Sequence, residues 1–186
     1  MNKKKNIICI IQARLGSKRF PKKIFKKIKG ERLINLLYKR LNKSSKINKI
    51  VVAIPNNKKD DILLKYLKKK KIPFFRGSEK NVLNRYFDTA KHFKGDIIIR
   101  VTSDCPLVDP NLIDKIGKIY KRNNFDYVSN IENRTFPDGM DLEFFKFETL
   151  KKTYFNVITD YDKEHVTKYI LRSDKFYKYN FSDKKN

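Results

Sequence analysis

Residues Asn6 to Lys23 read NIICIIQARLGSKRFPKK, a sharp junction between two kinds of chain. Asn6 to Gln12 is a short apolar run ending in one polar residue, the pattern of a strand buried on both faces. Ala13 to Lys23 then combines Gly16, Ser17 and Pro21 with five cations, which reads as a loop. A buried strand that runs straight into a basic, glycine-containing loop puts its cations where an open α/β sheet binds ligands, at the strand's carboxyl end.

Outward from this junction the periodicity alternates. Leu33, Leu36, Leu37 and Leu41 give an apolar stripe that predicts a helix over Glu31 to Asn42. Lys49 to Ile54 (KIVVAI) predicts a second buried strand closed by Pro55, and Ile62, Leu63, Tyr66 and Leu67 a helix over Asp60 to Lys71. A brief strand over Ile72 to Arg76, a helix over Glu79 to Phe93 and an apolar strand over Asp96 to Thr102 continue the beat. Pro110 to Tyr120 predicts a helix with proline at its first position, where the missing donor is tolerated, and Phe125 to Ser129 a fifth strand. Beyond Asn130 the pattern breaks into a short strand, Met140 to Phe145, and two helices, Phe147 to Asn156 and Tyr161 to Arg172. Strands alternating with helices predict a three-layer α/β/α sandwich around a mostly parallel, Rossmann-like sheet. There is no internal repeat and no linker, and 186 residues suit one domain.

Composition narrows the class. Hydrophobic residues make up 40% of the chain and aromatics 13%, enough for a packed core. The formal net charge is +25, but lysine dominates the excess and Lys3 to Lys5, Lys22 to Lys29, Lys68 to Lys71, Lys184 and Lys185 scatter over ends, loops and helix faces. A nucleic-acid partner requires the charge on one face, so the excess reads as a solvated lysine surface. Cys9 and Cys105, far apart and beside apolar stretches, read as buried thiols rather than a disulfide or zinc site. No apolar run approaches the roughly 18 residues of a membrane span and no signal peptide is evident, which predicts a cytoplasmic protein without a membrane partner.

The most chemically loaded segments are Gln12 to Lys23, Thr102 to Pro106 and Pro137 to Glu143, and the first two show their chemistry directly. In the first, Gly16 and the cations of Gln12 to Lys23 can cradle an anion, with Arg supplying a fork of donors and Lys a point charge. The spacing is neither a Walker A loop nor a dinucleotide fingerprint, and an ordinary basic turn is the competing reading. In the second, Thr102-Ser103-Asp104-Cys105-Pro106, an acid stands directly beyond the most apolar strand. Asp104 can hold Mg²⁺ against phosphate oxygens or simply cap a turn.

Six segments together resemble a known family. IIQARLGSKRFPKKIF, FFRGSEKNVLNRY, RVTSDCPLVDP, DYVSN, TFPDGMDLEFF and EHVTKYI occur in the order found in cytidylyltransferases that make CMP-activated sugar acids. The match looks nearest to the SpsF-like spore-coat polysaccharide branch. The resemblance implies a GT-A-like nucleotidyltransferase fold and transfer of CMP from CTP to a sugar or sugar acid, with pyrophosphate leaving. It implies a triphosphate set of Arg14, Ser17, Arg19 and Lys23 with Gly16 in the loop, and Gln12 and Ala13 against the nucleotide. Arg76, Gly77, Ser78 and Asn81 resemble the segment near cytosine and ribose. Asp104 matches the metal-binding aspartate, with Mg²⁺ as cofactor, and Arg14, Lys23 and Asp104 become the catalytic set. Asp138, Asp141, Glu143, Glu164 and His165 resemble the acceptor-sugar side, although a histidine on an amphipathic helix is as often a packing residue. His92 has no motif around it and reads as surface. A homodimer is a further expectation of the family.

The chain also departs from the pattern. Lys22 stands where the family commonly has glycine. Relatives continue into a segment resembling TVDxPEDL, whose aspartate supplies a second metal ligand in several members, and 1–186 reads as a single domain without it; Asp141 and Asp138 are the candidates in its place. Two other functions therefore stay open: a weak or inactive nucleotide-binding protein of the same fold, and a nucleotide-sugar-dependent glycosyltransferase, for which Asp138-Gly139-Met140-Asp141 is a loose metal motif.

Overall fold

A computed structural model describes residues 5–16 and 20–183. The chain runs β1 (Ile7–Gln12), a short 3₁₀ turn (Lys23–Phe25), β2 (Lys27–Ile28), β3 (Glu31–Arg32), α1 (Leu33–Leu41), β4 (Lys49–Pro55), a second 3₁₀ turn (Lys58–Asp60) and α2 (Asp61–Lys69). It continues with β5 (Phe74–Gly77), α3 (Val82–His92), β6 (Ile97–Thr102), α4 (Pro110–Asn123), β7 (Tyr127–Ser129), β8 (Glu143–Lys146), α5 (Phe147–Asn156), α6 (Asp160–His165), α7 (Lys168–Arg172) and β9 (Lys178–Asn180).

Seven strands form one sheet in the order β5-β4-β1-β6-β8-β7-β9, and β2 and β3 form a separate hairpin. β1 lies between β4 and β6 and is parallel to both, which accounts for its unbroken apolar run. β8 is antiparallel to its neighbours β6 and β7, while β7 and β9 are parallel. The two faces of β1 separate two cores. Ile7, Cys9 and Ile11 pack with Leu37, Leu63, Leu112 and Ile116 from α1, α2 and α4. Ile8 and Ile10 pack with Leu83, Tyr86, Leu150 and Ile170 from α3, α5 and α7. The result is the three-layer, mostly parallel sheet that the alternation predicts.

Two local expectations change, and one strand was not anticipated. Glu31 and Arg32 pair with Lys27 and Ile28 in the hairpin instead of opening the first helix, so α1 begins at Leu33. The expected helix over Tyr161 to Arg172 breaks at Val166, which has φ 57 and ψ −57, while the Thr167 N–H donates to the His165 carbonyl across 2.6 Å. This is a strained γ-turn. It buries Val166 and lets both guanidinium nitrogens of Arg172 reach the buried carboxylate of Asp162. The strand Lys178–Asn180 has no apolar signature, because it is a short edge strand that pairs only with β7.

Cys9 and Cys105 are buried free thiols, as expected. His92 is exposed, its ring packed beside Phe75 and Phe93. Among the described residues no helix is long and apolar enough to cross a membrane.

Candidate active site

The carboxyl ends of β1 and β6 meet, as adjacent parallel strands must. The Ser103 N–H donates to the Gln12 carbonyl at 3.0 Å, which binds the start of the 103–106 turn to the end of β1. The Cys105 N–H donates to the Thr102 carbonyl, and the Thr102 hydroxyl lies 3.1 Å from the Cys105 sulfur, closing the turn that projects Asp104. On the other side the loop after β1 is pinned at its base. The Leu15 N–H donates to Asp60 at 2.7 Å, and the Lys22 N–H donates to the Leu15 carbonyl. Ala13 is buried in the core, so its backbone rather than its side chain shapes the site.

This folding gathers Gln12, Arg14, Lys23, Ile24, Thr102, Ser103 and Asp104 around a cleft of about 200 Å³. The first two of the chemically loaded segments thus share one site, and Pro137 to Glu143 does not line it. Lys23 Nζ lies 3.5 Å from Asp104, and both side chains are about half exposed. Burial works against the Asp104 carboxylate, but the Thr102 hydroxyl and the Lys23 charge outweigh it and hold its pKa below the ordinary value. Asp104 is therefore ionised at neutral pH. Ser17 and Arg19 lie outside the described residues. At Gly16 nothing approaches within 4 Å of the place a Cβ would take, so that glycine relieves no clash.

Arg14 also lines an adjoining cleft of about 350 Å³ with Glu79, Lys80, Asn81, Val82, Asp160, Lys163 and Glu164. Asn81 caps α3, its side-chain oxygen accepting from the Asn84 N–H at 2.8 Å. Gly77 is required here: a Cβ would fall 2.9 Å from Cγ of the buried Arg85, whose guanidinium donates to the Ser78 carbonyl. Ser78 Oγ accepts from the Asn81 N–H at 3.0 Å. Arg76 is held by Asp61 and by the Asn57 carbonyl, each at 2.8 Å. The Arg76 to Ser78 segment thus frames the cleft while Asn81 lines it.

The residues expected on the acceptor side divide. Glu164 enters the cleft beside Arg14. His165 packs its ring 4.5 Å from that of Tyr161. Asp138 and Asp141 both bind Arg134, Asp141 through two oxygens at 2.9 and 3.1 Å. Arg134 in turn lines a hollow of about 620 Å³ with Ile131, Glu132, Tyr161, Lys168, Leu171 and Arg172. Glu143 is 3% exposed and lies inside the sheet layer, where it pairs with Arg100 and accepts from the Tyr127 hydroxyl at 2.8 Å. An acid so enclosed faces protein rather than an incoming sugar.

Metal chemistry has a narrow opening. Among the described residues no three His, Cys, Asp or Glu side chains cluster as a metal site. Mg²⁺ characteristically takes one or two carboxylates plus substrate phosphates, and a lone Asp104 in a cationic cleft suits an ion that arrives with a triphosphate. Asp141, the candidate second ligand, is engaged by Arg134.

Lys22 supplies a stability prediction. Its φ of 55 and ψ of 24 lie in the left-handed region, which disfavours an L residue by about 1–2 kcal/mol. Glycine adopts it freely but loses about 0.5–1 kcal/mol of chain entropy. Lys22→Gly is expected to raise the unfolding temperature by about 2–4 °C, corresponding to a net gain of roughly 1 kcal/mol. A fall in a circular-dichroism melt would mean that contacts of the lysine outweigh the strain.

Asp60, Arg100 and Arg134 escaped the sequence reading. Asp60 reads locally as the cap of a helix, and its role in holding Leu15 depends on a residue 45 positions away. Arg100 reads as one polar residue in a strand, and only the neighbouring strands reveal its partners.

A family model described as cytidylyltransferase matches residues 8–186. An uncharacterized protein of Methanocaldococcus jannaschii is 40% identical over 172 residues, covering 92% of this chain and 70% of that protein. The spore coat polysaccharide biosynthesis protein SpsF of Bacillus subtilis is 33% identical over 181 residues, covering 95% of this chain and 74% of that one. The solved structure of a cytidylyltransferase from Leptospira borgpetersenii superposes with a TM-score of 0.91 at 31% identity, covering 97% of this chain and 77% of that one. With the basic loop and Asp104 meeting in one cleft of a matching fold, the chain belongs to the cytidylyltransferase family of CTP-using nucleotidyltransferases.

Proposed function

We propose that the protein is a cytoplasmic enzyme that transfers CMP from CTP to a sugar or sugar acid, with Mg²⁺ as cofactor, for the synthesis of a surface glycan. The observation that carries this reading is the convergence of Arg14, Lys23 and Asp104 on one cleft at the carboxyl end of a parallel sheet. An acceptor oxygen attacks the α-phosphorus, a new P–O bond forms, the bond to the β-phosphate breaks, pyrophosphate leaves and the acceptor gives up its proton. Such a transfer depends on positioning and charge neutralisation, with no covalent intermediate on the protein. Arg14 offers a forked set of donors to phosphate oxygens and Lys23 a point charge. The Lys23–Asp104 contact is exposed and weak, so an entering triphosphate competes for Lys23 readily. Bound Mg²⁺ would be held by Asp104 and supplies further neutralisation of the phosphate oxygens. The adjoining cleft with Asn81 takes the nucleoside, and the hollow lined by Arg134, Lys168 and Arg172 takes an anionic acceptor. A homodimer is part of this proposal and is checked by sedimentation.

The first test is thermal unfolding with Mg²⁺ and, separately, CTP, UTP, ATP or GTP. A ligand at a hundred times its Kd stabilises the folded state by about 2.7 kcal/mol, which corresponds to about 5–10 °C here. The expected result is a rise specific to CTP and Mg²⁺ that Asp104→Asn and Arg14→Ala remove, followed by pyrophosphate release when sugar acids are added. Equal small shifts with all four nucleotides would sink the reading. A CTP-specific shift without turnover on any acceptor would leave a protein that only binds the nucleotide.

A further inference from the structure

Beneath the cleft a chain of polar groups crosses the sheet. Gln12 ends β1, and Arg100 lies two residues before its neighbour Thr102 on β6. The Arg100 guanidinium pairs with Glu143, directly opposite on β8, and Glu143 accepts from Tyr127 on β7. Arg100 and Glu143 are 15% and 3% exposed. Burial alone would lower the Arg100 pKa; the charge of Glu143 and the other groups around it more than reverse this, so the guanidinium is charged. Its Nη2 donates upward to Gln12 Oε1 at 3.4 Å, and the Tyr86 ring packs 5.9 Å from its centre.

This contact fixes the polarity of Gln12. A guanidinium carries donors only, so the amide atom facing it must be the oxygen. The Gln12 N–H₂ is therefore turned away from the guanidinium, on a residue that lines the cleft, and among the described residues it donates to no protein acceptor. Around it stand Arg14 and Lys23, which are donors, and Asp104. A neutral donor held among cations, in the same cleft as the phosphate-neutralising set, suits an anionic oxygen.

We propose that Arg100, Glu143 and Tyr127 are positioning residues that hold the Gln12 amide with its N–H₂ toward the cleft, where it donates to a non-bridging oxygen of the α-phosphate of the bound nucleotide. This rests on the nucleotide-binding reading above and adds to it a device in the sheet that sets the donor. A preorganised donor of this kind needs no reorientation when charge shifts on the phosphate.

The test compares binding of CTP, CMP and cytidine, followed by ligand-observed NMR at concentrations where even the nucleoside registers. Gln12→Ala is expected to weaken CTP and CMP about tenfold, the effect of one hydrogen bond to a charged group, and to leave cytidine within about twofold. Gln12→Glu, which turns an acceptor toward the phosphate, should weaken them further. The paired change Arg100→Met with Glu143→Gln removes the positioning charge without leaving an ion unpaired, and keeps an acceptor for Tyr127. It should reproduce the tenfold loss for CMP, and should add nothing once Gln12 is already alanine, because coupled residues are not additive. Should the paired protein fail to fold, Arg100→Lys, which keeps a cation for Glu143 but not the second donor for Gln12, takes its place with the same expectation. Unchanged CMP affinity in a folded positioning variant, or a loss that adds fully to that of Gln12→Ala, overturns the positioning role. A parallel loss for cytidine overturns the phosphate contact. Failure of the unaltered protein to bind CTP at all would instead remove the nucleotide reading itself.

Discussion

Asp104→Asn is expected to slow CTP-dependent pyrophosphate release by about a hundred- to a thousandfold, the typical effect of removing one preorganised electrostatic group from a site of charge development. The same substitution should barely move the unfolding temperature without ligand. Asp104 is about half exposed, and its ion pair with Lys23 at 3.5 Å belongs to a class worth about 0–1 kcal/mol. Asparagine keeps the size and the acceptor for Thr102 but not the charge. Because the carboxylate also supports CTP binding, the loss should appear in the KM for CTP as well as in kcat, and high Mg²⁺ should recover part of it if the carboxylate is a metal ligand. Turnover within a few-fold of the unaltered enzyme would show that the carboxylate neither holds the metal nor orders the phosphates. The two measurements together separate a chemical role from a structural one, which the motif alone leaves open.

Arg100→Met should, beside its effect on nucleotide affinity, lower the stability of the unliganded fold. Glu143 is enclosed at the centre of the sheet, and without its guanidinium partner it becomes a buried charge with one remaining donor, Tyr127. Breaking one side of a buried pair destabilises by about 3–5 kcal/mol. For a chain of this size that corresponds to a drop of about 10 °C in unfolding temperature. Adding Glu143→Gln to the same chain should restore most of the loss, since the desolvation of an unpaired ion is its main source. A calorimetric scan of the single variant that matched the unaltered protein would show that water or another cation already satisfies Glu143.

Glu143 also illustrates where sequence reading stops. In TFPDGMDLEFF it stands among acids that a sugar pocket would employ, and its motif places it there by resemblance. In the fold it lies on an antiparallel strand inserted between β6 and β7, with its side chain between Arg100 and Tyr127, which are 43 and 16 residues away. Alternation along a strand tells which residues share a face but not which strand lies beside it. The same limit hid Asp60, whose capping position is local but whose partner Leu15 is not. At Val166 a different factor decided the outcome. Tyr161 to Arg172 has a continuous helical stripe, yet burial of Val166 and the Asp162–Arg172 pair outweigh the strain of a γ-turn. Arg14, Lys23 and Asp104 were legible because loops at the carboxyl ends of neighbouring strands must converge, so a basic loop after one strand and an acid after another already implied a shared cleft.

From its sequence alone this protein was determined to be an α/β chain with a mostly parallel sheet, a first strand buried on both faces, and a basic loop and an aspartate at strand ends. Those features depend on local periodicity and on short-range turn chemistry, which each segment carries within itself. The tertiary structure alone decided the antiparallel entry of β8, the break at Val166 and the assignment of each charged side chain to cleft or core. A charge takes the partner that compensates its desolvation, and that partner is set by which strands and helices become neighbours in space.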